Sequence, residues 1–135
     1  MHIAFDMPAP LILIVEDDAE LGTILEEVIE SFGYRPRRVT TGAAALDALE
    51  IERPLVALVD WSALGDPDRV AGRFFAEEVP IVLASGSDVA KPRARRIAAR
   101  AVLEKPFTVE GLLAALERAL ATRSEAHPPD AGPLL

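Results

Sequence analysis

Leu11-Ile12-Leu13-Ile14-Val15-Glu16-Asp17-Asp18 runs five aliphatic residues straight into three carboxylates. An aliphatic run this short, without polar alternation, is the pattern of a strand covered on both faces of a parallel sheet. Leu55–Val59 and Ile81–Ala84 repeat it, while Arg35–Thr40 and Ala101–Glu104 are strand-like but shorter or more polar, as sheet edges are. Helical patterns lie between them. Leu21, Ile24, Leu25, Val28, Ile29 and Phe32 recur at helical spacing with Gly33 placed to end the run. Val109, Leu112, Leu113, Leu116 and Leu120 do so after Thr108, a suitable N-cap. Ala43–Ile51 and Pro67–Glu78 read as two further helices, the second with Asp66 as cap and Pro67 in its first position. Lys91–Arg100 has Ile97 as its only large apolar residue and reads equally as a short helix or a loop.

Strands alternating with helical segments define an α/β domain with a parallel sheet. Three aliphatic strands must be central and two polar ones peripheral. With right-handed crossovers, a flavodoxin-like doubly wound five-stranded sheet of order 2-1-3-4-5 fits, helices on both faces and the fourth short or missing. Winding then reverses between strands 1 and 3, and ligands bind at the carboxyl ends of strands beside such a switch point.

Composition narrows the chemistry. The chain has 135 residues, 50% hydrophobic and 27% charged, enough for one domain. Fourteen Lys and Arg against 22 Asp and Glu give a net charge of −8, which argues against nucleic acid as a partner. No run is long enough to span a bilayer and no secretion signal is visible, so a cytoplasmic, membrane-free domain is expected. There is no cysteine, and His2 and His127 both lie near chain ends, which disfavours thiol catalysis, thiolate zinc sites and triad hydrolysis. Five of the eleven prolines fall in residues 1–10 and 122–135, expected to be a flexible N-terminal extension and a disordered C-terminal tail around a domain of residues 11–121. No internal repeat is present.

What the strand ends carry is therefore decisive. Strand 1 runs into Glu16, Asp17 and Asp18, strand 3 into Asp60, strand 4 into Ser85-Gly86-Ser87, and strand 5 into Lys105-Pro106-Phe107. Three carboxylates about 5 Å apart repel by roughly 3 kcal/mol per pair at an effective dielectric near 20. A hard cation relieves this, and oxygen ligands without His or Cys select Mg²⁺ over zinc or copper. Mg²⁺ keeps positions for phosphate oxygens, so a phosphoryl group is the implied partner. On the repulsion alone, Asp60→Ala is expected to stabilise the metal-free protein.

Plainer readings stand beside these. Glu16-Asp17-Asp18 would also cap a helix N-terminus, Asp60 would serve in a turn, Ser85 would cap the following segment, and Lys105 would snorkel at the surface. Trp61 reads as a packing residue at the site's edge, and Phe74 and Phe75 as core. Arg93, Arg95, Arg96 and Arg100 form a basic patch, either a solvated face or a docking surface for a kinase or phosphotransfer protein.

Residues 11–121 resemble the receiver domain of bacterial two-component response regulators, most closely the single-domain type. The resemblance rests on Ile12-Leu-Ile-Val-Glu-Asp-Asp18, Ala57-Leu-Val-Asp-Trp61, Val82-Leu-Ala-Ser-Gly86 and Val102-Leu-Glu-Lys-Pro-Phe107, taken as an ordered set. It implies that Asp60 is the nucleophile that takes a phosphoryl group from a histidine kinase or phosphotransfer protein. Asp17 would bind Mg²⁺ directly, Glu16 would assist through water, and the Ser62 backbone carbonyl would complete the protein's share with Asp60. Lys105 would pair with a phosphoryl oxygen, and the Ser85 hydroxyl would follow the phosphoryl group when it arrives. Ser62 and Ser87 would sit where the family tunes dephosphorylation. Lys105-Pro106 would be a cis peptide. The resemblance implies a signalling switch or phosphate shuttle with an unidentified downstream protein, and no enzyme beyond its own phosphorylation and dephosphorylation.

Four departures accompany it. The Asp60–Ser85 stretch is about one helical turn short, and Ser62-Ala-Leu-Gly-Asp66 replaces the usual Met-Pro signature. Val102 stands where many receivers carry a switching aromatic, and Asp88–Arg100 lacks an amphipathic pattern. The altered switch region favours the alternative of a pseudo-receiver, an interaction module working without phosphorylation, and the complete set Glu16, Asp17, Asp60 and Lys105 opposes it. A phosphohydrolase acting on a free substrate is disfavoured because no second aspartate follows Asp60 by two residues, and a nucleotide site because no Gly-rich Lys-Ser/Thr loop exists.

Overall fold

A computed structural model describes residues 9–86 and 88–121; residues 1–8, Ser87 and the 122–135 tail lie outside the described residues. The chain order is β1 (Leu11–Val15), α1 (Ala19–Ser31), β2 (Arg35–Val39), α2 (Gly42–Ile51), β3 (Val56–Asp60), a 3-10 turn (Trp61–Ala63), α3 (Pro67–Ala76), β4 (Ile81–Gly86), α4 (Ala90–Arg96), β5 (Ala101–Lys105) and α5 (Val109–Ala121). The strands form one parallel sheet in the order β2-β1-β3-β4-β5, the flavodoxin-like arrangement expected.

Side chains of a strand point alternately to its two faces, and each face builds its own core. Leu13, Val15, Ala57, Val59, Ile81 and Leu83 face α2, α3 and α4. Ile12, Ile14, Val56, Leu58, Val82 and Leu103 face α1 and α5. β1 and β3 are buried at every residue, whereas β2 is half-buried throughout, as its charged sequence requires of an edge. Polar caps fix the helix starts: Asp18, Thr41, Asp66 and Thr108 accept backbone N–H bonds from Leu21, Ala44, Arg69 and Gly111.

Several expectations need correction. Ile24 and Val109 are half exposed and stand outside the buried stripes of α1 and α5. Phe75 is half-buried and lines a groove between α3 and the segment 97–100, so only Phe74 of the pair is core. α3 stops at Ala76, where Glu78 turns to φ 59 to hand the chain to β4. Lys91–Arg100 resolves as a helix of two turns, Ala90–Arg96, which buries Ala90 and Ala94 and is closed by Ile97. Small buried residues in place of large ones are why its periodicity is faint in the sequence.

One glycine ties the fold to the rim. A Cβ on Gly42, at the start of α2, would lie 2.1 Å from the Leu64 carbonyl oxygen and 2.8 Å from Val70 Cγ2. Only glycine allows the loop after β3 to sit this close to α2.

Candidate functional site

β1, β3, β4 and β5 all end on one rim, and register sets their side chains side by side. Asp60, the last residue of β3, pairs with Ala84, and β4 continues two residues further, so Ser85 belongs to the strand itself and not to the loop. Lys105 closes β5 opposite Gly86. Glu16, Asp60 and Ser85 are the buried polar residues of the described chain.

Glu16, Asp17 and Asp60 bring carboxylate oxygens within 4.8 Å of one another. Asp18 instead turns away to cap α1, so the acidic triplet divides its work: one residue is a cap and two belong to the cluster. Lys105 Nζ lies 2.5 Å from Asp60 Oδ1 and 3.8 Å from Glu16 Oε1, and the Ser62 hydroxyl donates to Asp60 Oδ2. That lysine contact offsets the repulsion, so removing Asp60 from the metal-free protein is closer to neutral than the repulsion alone implies. Lys105 is thus no surface snorkel, and the cis Lys105-Pro106 bond is present.

The electrostatics follow from burial and charge. Burial pushes the Glu16 carboxyl above the usual carboxylate range and the neighbouring Asp60 charge adds to this, against a backbone N–H from Asp18 and the charge of Lys105. For Lys105, burial works against the ammonium, but the bond to Asp60 and the charges of Asp60, Glu16 and Asp17 outweigh it, so its pKa lies above the ordinary lysine value.

A carboxyl whose folded pKa is raised disfavours the folded state while ionised, and that cost falls away as pH drops through the raised value towards the unfolded one. Glu16→Gln is therefore expected to stabilise the metal-free protein at neutral pH. The advantage over wild type should shrink as pH falls into the carboxylate range. Melting curves of both proteins in chelator between neutral and mildly acidic pH check this; an advantage that grows on acidification would contradict it.

Sequence reading gave Arg38 no role and placed Arg93 only in a basic patch. Arg38 of β2 donates from its guanidinium to the Glu16 carbonyl at 3.0 Å and lies over Gly22, where a Cβ would come within 2.4 Å of it. Arg93 of α4 donates to the Ser85 hydroxyl at 3.0 Å and stacks on the Trp61 ring, 4.9 Å from its centroid. Arg96 also reaches that ring, at 5.7 Å, and pairs with Asp68 of α3 at 2.9 and 3.0 Å. Arg93 is thus directed toward the rim, while Arg96 stays exposed and crosses to Asp68; the two lie i,i+3 on one helix face, a spacing invisible until the segment is known to be helical. Val102, where an aromatic was absent, packs half-buried against the α4-side core.

A doubly wound sheet with an acidic cluster and a lysine at its switch point defines a class, and comparison with known proteins gives the family. No protein-family model matches the chain. Protein Rrf1 of Nitratidesulfovibrio vulgaris is 31% identical over 133 residues, covering 90% of each chain. A response regulator receiver protein from Burkholderia phymatum, known from its crystal structure, superposes with a TM-score of 0.73 at 27% identity, over 83% of this chain and 95% of that one. The histidine kinase CikA of Synechococcus elongatus is 27% identical over 117 residues, which are 83% of this chain but 15% of the kinase. The chain belongs to the response-regulator receiver family. Receiver domains are signalling modules and not enzymes in the ordinary sense. No helix among the described residues is long and apolar enough to cross a membrane.

Proposed function

We propose that this protein is a phosphorylatable receiver in which Asp60 accepts a phosphoryl group from a histidine kinase or phosphotransfer protein, as a signalling switch or phosphate shuttle in the cytoplasm. The observation that carries the reading is the buried Asp60 carboxylate, held by Lys105 on one oxygen and by Ser62 on the other, within the Glu16–Asp17 cluster.

The donor set fits Mg²⁺: three carboxylates, all hard oxygen, with no soft ligand. Asp17, Asp60 and the Ser62 carbonyl would hold the ion, with Glu16 assisting through water. Bound there, Mg²⁺ supplies neutralisation of phosphoryl oxygens. The chain's own groups do the rest. An Asp60 carboxylate oxygen forms the new bond to phosphorus while the bond to the donor's imidazole nitrogen breaks, and the leaving nitrogen keeps the electron pair and takes up a proton. Lys105 holds Asp60 in place and offers its ammonium to the incoming oxygens, and the Ser85 hydroxyl offers a further donor. Positioning and charge neutralisation are most of what this transfer needs.

A second reading, a receiver that works by protein contact without phosphorylation, is favoured by Val102 and by the engagement of Ser85 with Arg93. One experiment separates the two. Trp61, next to Asp60, reports on the site, so its fluorescence is followed through an Mg²⁺ titration; acetyl phosphate is then added and the intact mass read. The proposal expects an Mg²⁺-dependent fluorescence change and a single phosphoryl adduct that Asp60→Asn lacks. No metal response, with no adduct from acetyl phosphate or from a histidine-phosphorylated donor, would leave the contact-only reading.

A further inference from the structure

Charge accounting at the rim leaves a gap that one residue is placed to fill. Glu16, Asp17 and Asp60 with a divalent cation and Lys105 balance to zero. Turning the Asp60 carboxylate into an acyl phosphate dianion adds one negative charge, and Lys105 is already shared between Asp60 and Glu16. Arg93 is the cation bonded to the third group of the rim, the buried Ser85 hydroxyl. A hydroxyl carries one proton and two acceptor lone pairs, and an arginine in a protein only donates. With Arg93 occupying a lone pair, the Ser85 proton is the part of the group left to give.

We propose that Arg93 is a positioning residue for phosphoryl transfer, orienting the Ser85 hydroxyl so that it donates to the phosphoryl group carried by Asp60, and supplying the positive charge that the acyl phosphate lacks. The proposal rests on the reading of Asp60 as a phosphoryl acceptor and goes beyond it, because it assigns a task to α4. The same guanidinium lies on Trp61, and the neighbouring Arg96 joins α4 to Asp68 of α3. A change in the Ser85 bond is thereby felt at both helices, with no aromatic needed at position 102.

The test uses acetyl phosphate as donor: an Asp60 oxygen bonds to phosphorus, the phosphorus–oxygen bond to acetate breaks, and acetate leaves with the electron pair, with no net proton change. The rate of adduct formation is read by intact mass for wild type, Arg93→Ala, Arg93→Lys, Ser85→Ala and the Arg93→Ala/Ser85→Ala double variant. Retention of beryllium trifluoride, a phosphoryl mimic, is read in parallel by fluorine NMR, and Mg²⁺ affinity is measured by titration. Losing one charge-assisted hydrogen bond should slow Arg93→Ala and weaken its hold on beryllium trifluoride by about tenfold each. Mg²⁺ affinity should stay unchanged, since Arg93 touches none of the carboxylates by hydrogen bond or ion pair in the structure. Arg93→Lys should recover much of the loss. In the Ser85→Ala background the Arg93 substitution should cost clearly less than it does in wild type, because the part of its effect that runs through the hydroxyl is already gone. An Arg93→Ala protein as fast as wild type, or one whose full loss persists without the Ser85 hydroxyl, overturns the assignment. A wild type that neither takes up phosphoryl nor holds beryllium trifluoride overturns the assignment and the acceptor reading together.

Discussion

Lys105→Met is expected to slow phosphoryl uptake by about a hundredfold, the scale seen when one preorganised donor to developing oxyanion charge is removed. The same change should destabilise the metal-free protein, because it leaves Asp60 and Glu16 buried together without their shared cation. Breaking a fully buried ion pair costs about 3–5 kcal/mol. The Lys105 side chain is 32% exposed, so solvent screening brings the expected loss to about 1–2 kcal/mol. The pH dependence has a definite sign. A lysine whose folded pKa is raised contributes its stability in full below the ordinary lysine value and loses it as pH rises through the raised one. Wild type and variant should therefore differ in melting temperature at neutral pH and converge in strong alkali. A Lys105→Met protein that takes up phosphoryl at the wild-type rate would remove the lysine from the mechanism.

Phe74→Ala should cost about 3–5 kcal/mol, the range for emptying a fully buried aromatic position. Phe74, on α3, is the largest fully buried side chain among the described residues and packs into the core on that face of the sheet. With total stabilities of about 5–15 kcal/mol, the loss brings a domain of this size near its limit. The site and the core are then linked through metal binding. Mg²⁺ at a hundred times its dissociation constant returns about 2.7 kcal/mol to the folded state. Denaturant unfolding of Phe74→Ala with and without Mg²⁺ should show this rescue, and adding Asp17→Asn should remove it. A rescue undiminished by Asp17→Asn would place the ion elsewhere.

The sheet order was readable because three central strands are aliphatic up to their last residues at the rim and the two edge strands are not. The rim was readable for the same reason: a buried strand leaves few places for its terminal carboxylate, so Asp60 and Glu16 had to meet at the switch point. Sequence could not divide Glu16-Asp17-Asp18 between a cluster and a cap, because that depends on where α1 begins. Nor could it show α4, whose buried positions are alanines, and with α4 hidden the placement of Arg93 and Arg96 against Trp61 was hidden too. Ile24 and Val109 show the converse limit. Each fits its helix's apolar spacing, yet each is half exposed, because spacing alone does not say how far round the helix the buried face extends.

The most direct test of the account locates the acceptor. Wild-type protein is incubated with Mg²⁺ and acetyl phosphate, reduced with borohydride so that any aspartyl phosphate becomes homoserine, and digested for peptide mass spectrometry. The account predicts homoserine at position 60, with none formed when chelator replaces Mg²⁺. Phosphate found instead on Ser62, Ser85 or another carboxylate, or homoserine forming equally without the metal, would contradict it.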